Sequence, residues 1–216
     1  MVKSKKIFEC NNCGHQSSKW TGKCVECNEW NTLSERILSS SKKNSVLNSF
    51  KIPQLINDIK GNSSERIQIN DKEFNRVIGN GLVNGSVILL GGEPGIGKST
   101  LSLKIALTLK LKVLYISGEE SNQQIKLRAN RLNYQNNQCF IYNETEINSI
   151  IKTSDEVTPK LIIIDSIQTI YNSEIDAIPG SVSQIKYSAE VLIKYAKERS
   201  IPIIIIGHIT KDGAIA

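Results

Sequence analysis

The chain has 216 residues, of which 39% are hydrophobic and 22% charged, a length that suits one α/β domain with a small appendage and is enough to bury a core. Its net charge of +6 is concentrated in residues 1–60, which hold 10 Lys or Arg and 5 Asp or Glu, a balance that is compatible with nucleic acid binding without establishing it. The amino end lacks an apolar segment and the longest apolar runs are strand-sized, which excludes a signal peptide and a transmembrane helix and favours a cytoplasmic protein with no membrane partner.

Four of the five cysteines lie between positions 10 and 27, in the pattern C-x2-C-x10-C-x2-C. Two such thiolate pairs can complete the tetrahedral S4 shell that zinc favours, and the clustering indicates a metal site in a reducing compartment rather than disulfide bonds. We therefore predict a structural zinc ribbon over residues 1–33. Its ligands are Cys10, Cys13, Cys24 and Cys27. His15 is expected to lie outside this shell, because four thiolates already complete it.

The two tryptophans of the chain, Trp20 and Trp30, lie in or beside this ribbon, close to Lys19 and Lys23. So small a unit needs large side chains to cover its metal, and we expect both tryptophans to be packed for that reason. Aromatic rings beside basic groups can also stack on nucleic acid bases, which is the alternative.

Residues 34–64 have the composition of a linker, with serine, lysine and asparagine at 39–45 and glycine, asparagine and serine at 61–64. From residue 65 onward, strands alternate with helices. We predict strands at 86–91, 112–117, 138–142, 161–165 and 201–207, and helices after 100 and at 121–133, 146–153 and 182–199. Continuous apolar strands alternating with helices indicate an α/β fold whose parallel sheet is covered on both faces. Cys139, in the third strand, is predicted to be core.

Residues 92–100 match the phosphate-loop pattern G-x-x-x-x-G-K-[ST] between a predicted strand and a predicted helix. The nine residues are Gly92, Glu93, Pro94, Gly95, Ile96, Gly97, Lys98, Ser99 and Thr100. The glycines let backbone N–H groups approach phosphate oxygens, and the helix start adds a positive dipole end. We predict that Lys98 reaches the β- and γ-phosphates of ATP and that the Ser99 hydroxyl ligates Mg²⁺.

Polar residues that follow the other strands are the remaining candidates, because ligands of such sheets bind at the carboxyl ends of the strands. Asp165 follows four aliphatic residues and is expected to orient Mg²⁺ or its water. Glu119 and Glu120 follow the second strand, and position alone leaves open which of them, if either, activates the attacking water. His208, like Thr210 and Lys211 after it, is either a sensor of the γ-phosphate or a surface residue.

The whole set of motifs resembles the RadA (Sms) family of bacterial DNA repair proteins, which are RecA-like P-loop ATPases. The segments that carry the resemblance are KWTGKC at 19–24, EWNT at 29–32, RVIGNGLVNGS at 76–86, GEPGIGKST at 92–100, SGEES at 117–121, DSIQT at 165–169 and GHITKDG at 207–213. It implies a RecA-like ATPase core over residues 65–216 that binds single-stranded and branched DNA, assembles as a homo-hexamer with a possible recombinase partner, and drives branch migration as a helicase-type motor.

The resemblance also implies residue roles. It favours Glu119 over Glu120 as the water-activating base, and it places His208 where a γ-phosphate sensor precedes a DNA-contacting loop. With Lys98 and Asp165, these residues form the expected catalytic set.

Members of this family continue past the position of Ala216 into a Lys-Asn-Arg-Phe-Gly motif and a Lon-protease-like domain that helps to build the ring, and this sequence has neither. A basic residue supplied by a neighbouring subunit can accelerate hydrolysis on the order of a thousandfold or more. The alternative function is therefore a nucleotide-gated DNA-binding module that recruits a partner and turns ATP over slowly. A metabolite kinase is disfavoured, because no acceptor pocket or arginine-bearing lid is evident.

Overall fold

The structure is a computed structural model that describes residues 5–38, 53, 55–58 and 66–208. The chain divides into two compact units, Met1–Ser64 and Glu65–Ala216. Most of the predicted linker, residues 39–52, 54 and 59–64, lies outside the described residues.

The amino-terminal unit contains a small antiparallel sheet. Its strands are β1 (Lys5–Cys10), β2 (Gln16–Ser17) and β3 (Leu33–Leu38), in the order β2-β1-β3. Pairing of β1 with β3 runs from Lys5 opposite Leu38 to Cys10 opposite Leu33, so the sheet extends beyond the predicted ribbon boundary at residue 33. A 3-10 turn, Ile56–Asp58, follows later in the chain.

The core of this unit is built around its cysteines. Cys10, Cys24 and Leu33 are buried, and Phe8, Cys13 and Cys27 pack against them. Trp20 and Trp30 are outside this cluster and remain 56% and 68% exposed. The prediction that the tryptophans are packed is therefore wrong. Phe8 and Leu33, which project from paired strands, supply the apolar cover instead.

The carboxyl-terminal unit is a five-stranded parallel sheet with helices, which confirms the predicted fold class. Its strands are β4 (Val87–Gly92), β5 (Val113–Ser117), β6 (Cys139–Tyr142), β7 (Leu161–Asp165) and β8 (Ile203–His208), in the order β4-β8-β7-β5-β6. Its helices are α1 (Lys72–Val77), α2 (Lys98–Thr108), α3 (Asn122–Leu132), α4 (Ile147–Val157) and α5 (Val182–Arg199).

The predicted strands all occur: the bounds of β7 match the prediction, and those of the other four strands are shifted by one or two residues. Helix α1 was not predicted: it is short, and its N-cap is Asp71, whose carboxylate accepts a hydrogen bond from the Phe74 N–H. Helix α4 continues to Val157, beyond the predicted end at 153, and stops where Thr158 adopts a left-handed conformation.

Two apolar clusters cover the two faces of the sheet, because alternate residues of each strand point to opposite sides. One face places Ile116, Ile164 and Ile205 against side chains of α4 and α5. The other places Tyr115 and Ile163 against side chains of α2 and α3, and Cys139 packs at the edge of this second cluster. Within the described ranges, no helix is both long and apolar enough to cross a membrane.

Candidate nucleotide-binding site and metal centre

The predicted nucleotide site lies at the carboxyl edge of the parallel sheet. Gly92, the last residue of β4, is paired with His208 at the end of β8. Ser117, the last residue of β5, is paired with Asp165 at the end of β7. Parallel pairing thus brings four strand ends to the same edge of the sheet. Each of these ends carries a predicted site residue or leads directly into one.

The loop between β4 and α2 has the geometry expected of a phosphate cradle. Gly95 and Gly97 have φ angles of +80° and +99°, which L side chains rarely adopt, and no heavy atom lies within 4 Å of the position that a Cβ would take at either residue. Helix α2 begins at Lys98 with Gly97 as its N-cap, so no side chain caps its first N–H groups. These open positions and free donors fit a bound phosphate chain.

Lys98 lies inside this loop. Its side chain is buried, and its Nζ donates hydrogen bonds to the carbonyl oxygens of Gly92 (2.7 Å) and Glu93 (2.8 Å). The ammonium group is therefore held within the loop, where a phosphate cradled by the glycines would lie in its reach.

Two carboxylate oxygens of Asp165 are held by two hydroxyl groups. Ser99 Oγ donates to Oδ1 at 3.0 Å, and the Tyr115 hydroxyl donates to Oδ2 at 2.5 Å. Burial and the neighbouring Asp165 charge both raise the pKa of Tyr115, so the phenol stays protonated and remains a donor. Ser99 and Asp165 could together hold a magnesium ion, since both offer oxygen ligands and each oxygen keeps a free lone pair.

Glu119 is the carboxylate that faces this edge of the sheet. Its Oε1 accepts a 2.6 Å hydrogen bond from Ser166 Oγ and lies 3.2 Å from Nε2 of His208. Burial raises the pKa of Glu119, but the hydrogen bonds from Ser166 and His208, with the charges of His208 and Lys98, outweigh burial and lower it below its usual value. The side chain is thus ionised at neutral pH.

Glu120 has different partners from Glu119. Its carboxylate forms an ion pair with Arg128 of α3, and its backbone N–H bonds Ser117 Oγ at 3.1 Å. Of the two glutamates that sequence position left open, only Glu119 contacts Ser166 and His208.

A close approach of two chain segments fixes the course of the loop after β5. A Cβ added at Gly118 would collide with the side chains of Thr169 and Thr145, so glycine is the residue that fits there. The Gly118 N–H also bonds the Asp165 carbonyl oxygen at 3.1 Å. This contact places Glu119 directly beside the end of β7.

His208 ends β8 with a half-buried imidazole. Nδ1 of its ring is buried and has no hydrogen-bond partner among the described residues, while Nε2 lies beside Glu119. Its backbone carbonyl accepts a 3.1 Å hydrogen bond from Gln168 Nε2. The other candidates after this strand, Thr210 and Lys211, lie outside the described residues.

Sequence reasoning missed Tyr115 and Ser166. Tyr115 had a usable signal: it is the one residue with a polar tip inside the otherwise aliphatic part of its strand, Val113 to Ile116, and a buried phenol needs a partner. Ser166 follows Asp165 directly and carried no signal of its own.

The amino-terminal unit brings the four predicted metal ligands together. All four Sγ atoms lie within 4.8 Å of one another, with Cys10 and Cys27 3.6 Å apart and Cys13 and Cys24 3.5 Å apart. A tetrahedral site with Zn–S bonds of about 2.3 Å requires sulfur separations of about 3.8 Å. The four thiols therefore fit a metal ion of the size and softness of zinc.

Two similar turns form this site. In one, the Gly14 N–H bonds the Cys10 carbonyl at 2.8 Å, and in the other the Asn28 N–H bonds the Cys24 carbonyl at 3.0 Å. Gly14 and Asn28 both have positive φ angles, of 74° and 60°. Glycine and asparagine are the residues that tolerate this conformation best, and each turn directs two thiols to a common point.

The pKa values of two of these thiols diverge. Burial raises the pKa of Cys10, but its hydrogen bonding with Thr32 and with the backbone of residues 12 and 13 outweighs burial and lowers the pKa to about 6. Burial and the neighbouring thiols raise the pKa of Cys13 to about 12.

Comparisons with known proteins match both units. Residues 8–35 match the family described as rubredoxin metal binding domain, and residues 62–214 match the AAA domain family. The chain is similar to DNA repair protein RadA of Listeria monocytogenes (46% identical), Bacillus subtilis (43%) and Pseudomonas aeruginosa (39%). Each comparison covers all of this chain but only 49% of the relative. The chain therefore spans about half the length of the curated relatives it matches.

A solved structure supports the fold. The KaiC-like protein of Pyrococcus horikoshii superposes with a TM-score of 0.59 at 15% sequence identity, covering 70% of this chain and 74% of that one. At this level of identity the likeness concerns the fold alone.

Proposed function

Since the chain belongs to the AAA domain family and is similar to DNA repair protein RadA along its whole length, we propose that it is an ATPase that acts in DNA repair. The observation that carries the proposal is the convergence of Lys98, Ser99, Asp165 and Glu119 at one edge of the sheet. Each of these residues has a separate part in binding or hydrolysing a nucleoside triphosphate.

The loop at residues 92–100 would hold the triphosphate. Its backbone N–H groups and the start of α2 would donate to phosphate oxygens, and the Lys98 ammonium would pair with the β- and γ-phosphates. Ser99 and Asp165 would hold a magnesium ion, which when bound neutralises charge on those phosphate oxygens. The hydrogen bond from Tyr115 keeps the Asp165 carboxylate in one orientation.

Glu119 would act as the general base. It is ionised at neutral pH, so it can accept a proton from a water molecule as the water oxygen attacks the γ-phosphorus. The bond between that phosphorus and the β–γ bridging oxygen breaks in the same displacement, leaving ADP and phosphate. Ser166 and His208 would keep the Glu119 carboxylate aimed at the water.

His208 is suited to sense the state of the site. It lies beside the proposed base, and its free Nδ1 leaves a donor or acceptor for another group. We propose that loss of the γ-phosphate changes its contact with Glu119. The chain after His208 would then receive that change.

The four cysteines would hold a zinc ion that stabilises the amino-terminal unit. The small core of that unit consists mainly of the cysteines themselves, so metal binding would contribute directly to its folding.

More specifically, we propose a motor whose ATP hydrolysis is stimulated by DNA and which drives branch migration. It would bind single-stranded and branched DNA, work as a hexamer and have a recombinase as a further partner. The similarity to a DNA repair protein supports the part that DNA has in this activity. The second candidate is a nucleotide-gated DNA-binding module with little turnover. In this candidate, the groups that complete the ATPase site come from elsewhere in an assembly.

Steady-state ATP hydrolysis by the 216-residue chain, with and without single-stranded DNA at low salt, separates these candidates. DNA-stimulated turnover supports the motor. ATP binding without turnover supports the gated module, and absence of ATP binding contradicts both.

A further inference from the structure

The two tryptophans form an exposed aromatic surface on the amino-terminal unit. A Cβ at Gly22 would lie 3.7 Å from the Trp30 ring and 3.8 Å from the Trp20 ring, so both indoles flank the same glycine. The Lys23 ammonium lies 5.8 Å from the centre of the Trp30 ring, within cation–π range. We call Trp20, Gly22, Lys23 and Trp30 the tryptophan surface.

The backbone beneath the tryptophan surface is well anchored. Lys23 and Trp30 face each other in an antiparallel bridge, and the Asn31 N–H bonds the Gly22 carbonyl at 2.8 Å. The next residue, Cys24, bonds Glu29 through its backbone at 2.9 Å and is one of the four metal-ligand candidates. The rings therefore project from backbone tied directly to the metal centre, and little ordering would be needed on binding.

Packing within the unit does not account for these rings. The buried cluster around Cys10, Cys24 and Leu33 forms without either of them. A tryptophan can bury about 150–250 Å² of surface, so leaving two of them more than half exposed forgoes a large stabilisation in a unit this small. Contiguous exposed apolar surface of this kind is typical of a binding site.

We propose that the tryptophan surface binds single-stranded DNA by stacking unpaired bases on Trp20 and Trp30. The inference deepens the proposed function, on which it rests for the presence of DNA. Every base has a π-face that can stack on an indole, so such a surface would bind with little sequence preference. The Lys23 ammonium lies beside the Trp30 ring, and the exposed Lys19 directly precedes Trp20 in the chain, so both lysines would pair with the phosphates that flank a stacked base.

The charge of the unit favours stacking over a purely electrostatic contact. Residues 5–38 contain five Lys or Arg and four Glu, before the thiolates are counted. Two lysines beside the rings would pair with about two phosphates, which predicts a slope of about −1.4 for log K against log salt on a single strand. A duplex offers no free base faces, so it should not occupy the rings.

Intrinsic fluorescence tests the proposal directly, because the chain has two tryptophans and both lie in this surface. The full chain is titrated with a 20-residue oligo-dT while tryptophan emission and the anisotropy of a label on the DNA are followed together. We expect saturable quenching that parallels the anisotropy, and no quenching by a duplex of equal length. DNA binding seen in the anisotropy without quenching, or equal quenching by duplex, would overturn the proposal.

Variants provide the second test. Trp20→Ala and Trp30→Ala should each weaken oligo-dT binding about tenfold, whereas Trp30→Phe, which keeps a π-face, should change it about twofold. Val25→Ala is the matched control, since Val25 is exposed on the same unit but does not border Gly22. Zinc content is measured for every variant to show that the metal centre is intact. Unchanged affinity in both alanine variants would also overturn the proposal.

Failure here is distinguishable from failure of the proposed function. ATP hydrolysis by the same preparation depends on the carboxyl-terminal unit, so turnover without quenching overturns the tryptophan surface alone. Quenching without turnover supports the tryptophan surface and counts against the ATPase.

Discussion

Tyr115, buried on one face of the sheet, donates a 2.5 Å hydrogen bond to Oδ2 of Asp165 at the end of the neighbouring strand. A residue of the apolar core is thus joined to the carboxylate proposed to orient magnesium. Since burial raises the pKa of Tyr115, this contact persists across the physiological pH range.

The first prediction concerns this contact. Tyr115→Phe should raise the Mg²⁺ concentration needed for half-maximal hydrolysis about tenfold, because a hydrogen bond to a charged group contributes about 1.5–3 kcal/mol. Activity should recover at high Mg²⁺. Tyr195→Phe is the matched control, since Tyr195 donates to Asp155 at 3.0 Å, where no proposed site residue lies. An unaltered Mg²⁺ dependence in Tyr115→Phe would show that Asp165 needs no such support.

The phosphate loop gives a second prediction. Lys98→Ala should weaken ATP binding and reduce hydrolysis about a hundredfold or more, since a buried cation aimed at the phosphates is lost. Lys104→Ala, on the same helix, removes a lysine that pairs with Asp71 at 3.1 Å and should leave both quantities near their original values. Titration with a fluorescent ATP analogue measures the binding. Normal turnover in Lys98→Ala would refute the assignment of the loop.

The third prediction separates the two glutamates. Glu119→Gln should retain ATP binding but lower the hydrolysis rate about 10²- to 10⁴-fold, the range expected when a general base is removed. Glu120→Gln breaks only the ion pair with Arg128 and should hydrolyse ATP at close to the original rate. Single-turnover hydrolysis distinguishes binding from chemistry, and the reverse ranking of the two variants would assign the base to Glu120.

The fourth prediction is a shift in pH dependence. The Ser166 hydrogen bond lowers the pKa of Glu119, and hydrolysis requires the ionised form, so the acidic limb of the rate profile should lie below the usual pKa of a glutamate. Removing that bond in Ser166→Ala should raise the pKa and move the limb to higher pH. Ser188→Ala, at a buried hydroxyl without a partner among the described residues, serves as control. Coincident profiles for Ser166→Ala and the parent chain would contradict the assignment.

The fifth prediction concerns the metal centre. Cys24→Ser should abolish stoichiometric zinc binding and unfold the amino-terminal unit, because a serine hydroxyl is a poor replacement for a thiolate in an S4 site. ATP binding should be unchanged, since it depends on the other unit. Cys139→Ser is the matched control, because it replaces a thiol of the sheet core. This variant should bind as much zinc as the parent chain, as measured by metal analysis. Full zinc occupancy in Cys24→Ser would exclude the four-cysteine shell.

Sequence patterns predicted the sites that are formed by residues close together in the chain. The glycines of residues 92–100 and the two C-x2-C turns each bring their ligating groups together within a few residues, so spacing alone indicates the chemistry. The strands could likewise be predicted because unbroken aliphatic runs signal burial on both faces.

Contacts between distant residues could not be predicted in this way. Tyr115 and Asp165 are 50 positions apart, and Ser166 and Glu119 are 47 apart, so their contacts arise only from strand order. The error at Trp20 and Trp30 has a similar cause. Whether a large side chain covers a small core depends on the pairing of β1 with β3, which places Phe8 and Leu33 in that position.

The pairing of β4 with β8 has a mechanical consequence. The two strands are in register at six positions, from Val87 opposite Ile203 to Gly92 opposite His208. The first glycine of the phosphate loop and the histidine therefore cannot slide past each other without breaking backbone hydrogen bonds. Nucleotide-driven motion has to come from side-chain rotation or from elements outside this ladder. The amide protons of β8 should accordingly exchange with solvent equally slowly in ATP and in ADP, so this strand pair would stay fixed when the bound nucleotide changes.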